Sequence, residues 1–130
     1  MDLIYTTTED RLILPGAYYS SDKKDLCVVF VHGMSGNILE NVFANILGQT
    51  LSKNGISFLY GHNRGYSHIN DITIAGGSAS RRIGVTYERF GESIYDIDAW
   101  IKQVADFGYS KIILAGHSLG GPKVIHYMSK

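Results

Sequence analysis

Three short stretches carry the residue types that chemistry needs. Ile113 to Gly121 reads ILAGHSLGG, so Ser118 sits between Gly116 and Gly120, with His117 and Leu119 beside it. Val31 to Gly36 reads VHGMSG, which sets His32, Gly33 and Met34 directly after an apolar run. Gly61 to His68 reads GHNRGYSH and brings two more histidines, His62 and His68. A serine among glycines is open to several uses. A dinucleotide fingerprint requires G-x-G-x-x-G, and from Gly116 the third position is Ser118, so that pattern fails. A phosphate loop requires G-x-x-x-x-G-K-[ST]. Gly116 and Gly121 have its spacing, but Lys123 arrives one place late and Val124 follows it. The nucleophile-elbow pattern G-x-S-x-G is met by Gly116, His117, Ser118, Leu119 and Gly120. It requires the serine in a tight turn between a strand and a helix, with its hydroxyl out over the sheet. The glycines two places either side remove side chains that would strike the neighbouring strand and helix. The helix start adds backbone N–H groups and a positive dipole end near a developing oxyanion. The plainer alternative is Ser118 as a helix N-cap.

Those residues need elements to hold them. LIYTTTEDRLILPGAYY, from Leu3, reads as two short strands with a turn near Glu9 and Asp10. LCVVFV, Leu26 to Val31, is a continuous β-branched and apolar run of the kind buried on both faces in a parallel sheet. ISFLY and KIILA, from Ile56 and Lys111, repeat it. Between these runs the spacing predicts a helix over Asn37 to Lys53, through Leu39, Val42, Phe43, Ile46, Leu47 and Leu51. It predicts a second over Asp96 to Phe107, and a last one through Val124, Ile125 and Met128. The stretch Ile69 to Gly91 has no clear period and reads as an exposed excursion, with Arg81 and Arg82 as a solvated loop pair. A hairpin followed by strand–helix alternation predicts an α/β fold, a mostly parallel sheet flanked by helices. The three glycine-containing stretches then fall at the carboxyl ends of strands, where such sheets gather ligands and catalytic groups.

From about Leu12 to the last residue the sequence resembles the α/β-hydrolase superfamily. VVFVHGMSGN resembles the family's third strand and His-Gly oxyanion loop, and GISFLYGHNRGYSH its fourth strand and Arg-Gly loop. SIYDIDAWIKQV resembles the helix before the elbow, and KIILAGHSLGGPKVIHYMS the fifth strand, elbow and following helix. The family loop often reads Arg-Gly-x-Gly-x-Ser, whereas Arg64-Gly65-Tyr66-Ser67-His68 lacks the second glycine, so Ser67 takes no detailed role from the family. The resemblance implies Ser118 as an acyl-accepting nucleophile, with the N–H groups of Met34 and Leu119 as oxyanion donors. His32, Gly33 and His117 are expected in supporting loops, both histidines as hydrogen-bonded structural groups. It implies a small-molecule acyl substrate and no cofactor or metal. Asp96 and Asp98 are read as helix-surface or loop-anchoring groups rather than catalytic carboxylates.

A serine nucleophile also needs a base and an orienting acid, which in this fold follow it in the order Ser, Asp or Glu, His. After Ser118 the sequence supplies His126 and no acidic residue. His126 lies about two helical turns on and points away from the hydroxyl. The expectation is therefore a partial hydrolase domain, residues 1–130, inactive by itself, with its acid and histidine elsewhere in a longer protein. His62 or His68 would be the substitute base if the chain were active alone. Strand 111–115 is expected to present an unpaired apolar edge open to self-association. A serine hydrolase of carboxylic esters or related acyl bonds is one reading. A non-catalytic remnant or binding domain that keeps the fold is the other. Lipase, esterase, thioesterase and peptidase activities stay open.

Composition sets the limits. The 130 residues carry 12 basic and 12 acidic side chains, a balance that argues against nucleic-acid or membrane-surface binding. No apolar run reaches the length of a membrane span, and no apolar leader is seen. The single Cys27 excludes an internal disulfide and reads as a buried, inert thiol. A cytoplasmic protein is the expectation.

Overall fold

The computed structural model describes all residues, 1–130. In chain order the elements are β1 (Asp2–Thr7), β2 (Ile13–Tyr19), β3 (Leu26–Val31), α1 (Val42–Lys53) and β4 (Ser57–Gly61). They continue as β5 (Asn70–Thr73), β6 (Ser80–Ile83), α2 (Ser93–Asp106), β7 (Lys111–Gly116) and α3 (Gly120–Met128). Five strands form one sheet in the order β1-β2-β4-β3-β7. β3 pairs parallel with both β4 and β7, and the β1–β2 hairpin adds to β4 antiparallel, so the sheet is mixed. All five residues of β4 are buried, as a continuous apolar run in a central strand requires. β7 pairs only with β3, and Ile113 on it is half exposed. The sheet edge expected at residues 111–115 is present.

The core lies on both faces of the sheet. Leu12, Leu14, Val29, Leu59, Trp100 and Val104 build the larger cluster with Cys27. Phe30, Phe58, Tyr60, Tyr19 and Ala44 build the other. Burial holds the Cys27 thiol up at about 12, as expected of an inert cysteine. Trp100 donates its indole N–H to the His62 carbonyl at 2.9 Å and ties α2 to the end of β4.

The helices depart from the sequence reading in instructive ways. α1 starts at Val42 rather than Asn37, because residues 37–41 fold into turns. There the Asn37 side chain accepts the Glu40 N–H at 3.0 Å, and the Tyr60 hydroxyl donates to Asn41 at 2.5 Å. Within α1 the buried residues are the small Ala44 and Gly48, with Leu51 half-buried against the same side of the sheet. A Cβ on Gly48 would lie 2.7 Å from the Tyr19 ring, so the close approach needs glycine. The larger Val42, Phe43, Ile46 and Leu47 stay exposed. α3 behaves similarly: Ile125 and Met128 are exposed and Lys123 is buried. Residues 69–91 are not wholly an exposed excursion. They contain the antiparallel β5–β6 hairpin, and its Ile83 enters the core.

Candidate functional site

Three loops meet beyond the carboxyl ends of the parallel strands: 32–36 after β3, 62–66 after β4, and 117–119 between β7 and α3. Ser118 has a φ of 54°, a left-handed conformation that a residue with a side chain rarely adopts. Packing imposes it. A Cβ on Gly116 would stand 2.5 Å from the Gly120 carbonyl oxygen, and one on Gly120 would stand 2.0 Å from that of Val31. Both clashes are with backbone, which cannot swing aside. The start of α3 is thus pressed directly onto the end of β3. Gly33 closes the arrangement from the other side, since a Cβ there would lie 2.9 Å from the Ser118 Cβ and 3.4 Å from its Oγ.

Ser118 is exposed, and its Oγ makes no hydrogen bond. It does not cap α3, whose first residues carry no side-chain cap. Within the turn the Gly120 and Gly121 N–H groups are taken by the His117 and Ser118 carbonyls, at 2.9 and 3.0 Å. The N–H groups of Leu119 and Met34 have no acceptor within the protein. Met34 is largely exposed.

His32 is fully buried and fixes the loop that carries Met34. Its Nδ1–H donates to the Gly33 carbonyl at 2.8 Å, and its Nε2 accepts the Asn63 N–H at 3.0 Å. Burial holds its pKa down at about 3, against the opposing pull of the Gly33 hydrogen bond, so the ring is neutral with its tautomer set by those two bonds. His62 is committed in the same way: Nδ1–H donates to the Pro15 carbonyl at 2.9 Å, and Nε2 accepts the Ile38 N–H at 3.2 Å. Burial lowers it to about 4. With both ring nitrogens occupied, His62 has no lone pair to offer as a base. The structure thereby removes it as a substitute base. His117 is exposed and its ring makes no hydrogen bond. It packs against Phe43 and Phe30, with ring centres 4.9 and 6.3 Å away, so the expected hydrogen-bonded role is replaced by aromatic contact. His126 packs against Phe90.

Two charged clusters beneath these loops have no local sequence signal. Arg64, almost fully buried, donates from Nε and Nη2 to Asp96 at 3.1 and 2.9 Å and from Nη1 to Asp10 at 2.7 Å. Its backbone N–H also reaches Asp96 at 2.9 Å. Asp96 is therefore a buried loop anchor, and Asp98 is the surface group, paired with Lys102. Burial pushes Asp10 up, but the hydrogen bonds from Arg64 and Thr8 outweigh it and bring the carboxyl down to about 2. Arg81 joins this cluster through Asp10 and Glu92, at 3.3 and 3.4 Å, while Arg82 pairs with Asp71 in solvent. The expected solvated pair is thus split between two environments. In the second cluster, Lys123 Nζ lies 2.6 Å from Glu88 Oε2 and 3.4 Å from Asn63 Oδ1.

A cavity of about 530 Å³ lies elsewhere, between the β1–β2 hairpin and loop 37–40. Pro15, Ala17, Ile38, His62 and Tyr66 line it, and Ser118, Met34 and Leu119 do not. No group of three or more His, Cys, Asp or Glu side chains is placed to hold a metal ion. No helix is long and apolar enough to cross a membrane.

No protein-family model and no curated protein sequence matches the chain. Solved structures do, and they define the fold as part of an α/β-hydrolase fold. The Pyrococcus furiosus esterase Pf2001 is 22% identical, with a TM-score of 0.74 over 99% of this chain and 46% of its own. Est1E from Butyrivibrio proteoclasticus, with ferulic acid bound, is 20% identical, with a TM-score of 0.71 over 97% and 47%. The α/β-hydrolase GrgF from a Penicillium species is 14% identical, with a TM-score of 0.75 over 97% and 40%. The chain spans less than half the length of each of these structures.

Proposed function

We propose that the chain is the nucleophile-bearing portion of a serine hydrolase acting on carboxylic esters or related acyl bonds. The observation that carries the reading is Ser118 at φ 54°, wedged between Gly116 and Gly120 with Gly33 against its Cβ. Such strain persists only where surrounding structure over-determines it, and it gathers at functional sites. The elbow turn presents the hydroxyl to solvent and leaves the Leu119 N–H without an acceptor. The Met34 N–H is the second oxyanion donor in this proposal. Two fixed donors stabilise a tetrahedral oxyanion better than water because they need not reorganise. In the reaction the Ser118 oxygen attacks the acyl carbon, its proton passes to a base, and the alcohol leaves from the tetrahedral intermediate. Water then releases the acid from the acyl-enzyme. The esterase names of several solved neighbours support the substrate class.

The proposal needs a histidine base oriented by an acid, and neither His32 nor His62 fills that role, because both rings are committed to backbone partners. A cytoplasmic location and self-association through the β7 edge belong to the same proposal.

The test is steady-state hydrolysis of p-nitrophenyl esters by the natural protein and by its Ser118→Ala variant. The variant is expected to lose turnover by roughly a thousandfold or more, down to a residual rate from binding and the oxyanion donors. Equal rates in both proteins would remove Ser118 from the reaction. No turnover in either would favour the other reading, a binding domain that keeps the fold without the chemistry. The exposed Oγ that lacks a hydrogen-bond partner is the observation on that side.

A further inference from the structure

Lys123 is an anomaly that the proposed chemistry does not use. It is 1% exposed on the second turn of α3, a helix whose Ile125 and Met128 face solvent. Burying an ammonium while leaving isoleucine outside is costly unless the charge is paired and hydrogen-bonded. Its partners lie on two other segments. Glu88 belongs to the turn after β6, and its carboxylate is itself 9% exposed. Asn63 belongs to the loop after β4, and its Oδ1 accepts both the Lys123 ammonium and the Gly65 N–H, the latter at 2.9 Å. That second bond closes a side-chain turn around Asn63, completed by the Tyr66 N–H on the Asn63 carbonyl at 3.0 Å.

The Asn63 turn is in turn joined to the loop beside Ser118. Its backbone N–H donates to His32 Nε2, and His32 Nδ1–H donates to the Gly33 carbonyl, one residue before Met34. The hydrogen bonds therefore run without a break from Glu88 through Lys123, Asn63 and His32 to Gly33. Lys123 stands on the helix that begins at the Ser118 turn, and the Gly33 end stands on the loop that carries the Met34 N–H. The 84–88 turn is fixed at its base, where the Gly84 N–H donates to the Arg64 carbonyl at 2.8 Å. The Glu88 carboxylate lies so close over Gly65 that a Cβ there would fall 2.1 Å from Oε2.

We propose that the buried Lys123–Glu88 pair is a positioning device, which sets the His32–Met34 loop against the Ser118 turn through Asn63 and His32. The inference rests on the hydrolase reading above, and assigns Lys123 and Glu88 positions in it without contact to substrate. A shift of about 1 Å between an oxyanion donor and the nucleophile is enough to slow a reaction on the order of a hundredfold.

The experiment is Lys123→Met in the natural protein, which keeps the aliphatic length and removes the charge. The expected result is a kcat lower by roughly a hundredfold with KM little changed, and partial recovery in Lys123→Arg. Lys102→Met, which removes a surface charge, should leave kcat unaltered. A second readout needs no turnover: the ring-nitrogen chemical shifts of His32, which report the Asn63 N–H bond to Nε2. They should move in Lys123→Met and stay in Lys102→Met. A folded Lys123→Met protein with wild-type kcat overturns the proposal. If the wild-type protein shows no Ser118-dependent turnover, the hydrolase reading fails on its own. The His32 shifts then decide the relay: movement supports it and constancy overturns it. Should Lys123→Met not fold, Glu88→Gln, which keeps the shape and an acceptor while removing the charge, is read by the same two measurements.

Discussion

Ser118 shares its left-handed φ with Ser35 and Ser67, and what sets it apart is the close packing of Gly116, Gly120 and Gly33 around it. Its φ of 54° follows from residues that could be read in the sequence, because Gly116 and Gly120 are local to it and their lack of a side chain has one steric purpose. The loop that faces it was legible for the same reason, as His32-Gly33-Met34 directly after an apolar strand. The histidines were legible only as residue types. Nothing local announces that His32 and His62 spend both ring nitrogens on backbone groups, or that His117 spends neither. The Met34 N–H, which has no acceptor in the protein, gives the residue-scale prediction. Met34→Pro removes that donor while leaving the side chain's exposed position unoccupied by any partner. The expected outcome in the natural protein is a fall in kcat on the order of a hundredfold or more, measured on a p-nitrophenyl ester, with the fold retained by circular dichroism. An unchanged rate would put the second donor elsewhere.

At the scale of elements, strand order and helix existence were readable because apolar runs and helical spacing are local patterns. Where the helices end, and which faces they bury, was not. α1 turns Ala44 and Gly48 to the sheet although the larger apolar residues dominate its spacing, since the Tyr19 ring leaves room only for a glycine. The charged anchors were invisible for a plainer reason: Arg64 and Asp96 are 32 residues apart, and Lys123 and Glu88 are 35 apart. Pairs at such separations leave no period in a sequence. Arg64 fastens the β4 loop to α2 and to the β1–β2 turn, so its loss would be felt by three elements together. Arg64→Met leaves the Asp96 carboxylate buried without its cation. It should destabilise the protein by about 3–5 kcal/mol, read from the shift in a urea unfolding midpoint. A shift below about 1 kcal/mol would mean that solvent reaches Asp96 readily and the anchor is weak.

The whole molecule carries the cost of burying its two neutral histidines. An unfolded chain titrates both near 6.5, while in the fold burial lowers His32 to about 3 and His62 to about 4. Between those values the unfolded state binds more protons than the folded one, so stability falls as pH falls. Their contribution is complete above pH 6.5 and is lost progressively as pH drops toward 4 and then 3. Urea midpoints at pH 7 and pH 5 should differ in that direction, and His62→Gln should flatten the slope; a flat profile in the unaltered protein would contradict the burial of both rings. At this scale the chain also matches less than half of each of the three α/β-hydrolase-fold structures named above, and its sheet ends in the half-exposed β7. The central claim concerns one atom, the Ser118 Oγ, and the most direct measurement is covalent capture of it. The natural protein is treated with an alkyl fluorophosphonate, digested, and the adduct located by tandem mass spectrometry. The account predicts a phosphonyl adduct on Ser118, absent when the protein is unfolded first and absent from Ser118→Ala. A protein that stays folded and unlabelled at Ser118, or one whose label persists in Ser118→Ala, would contradict it.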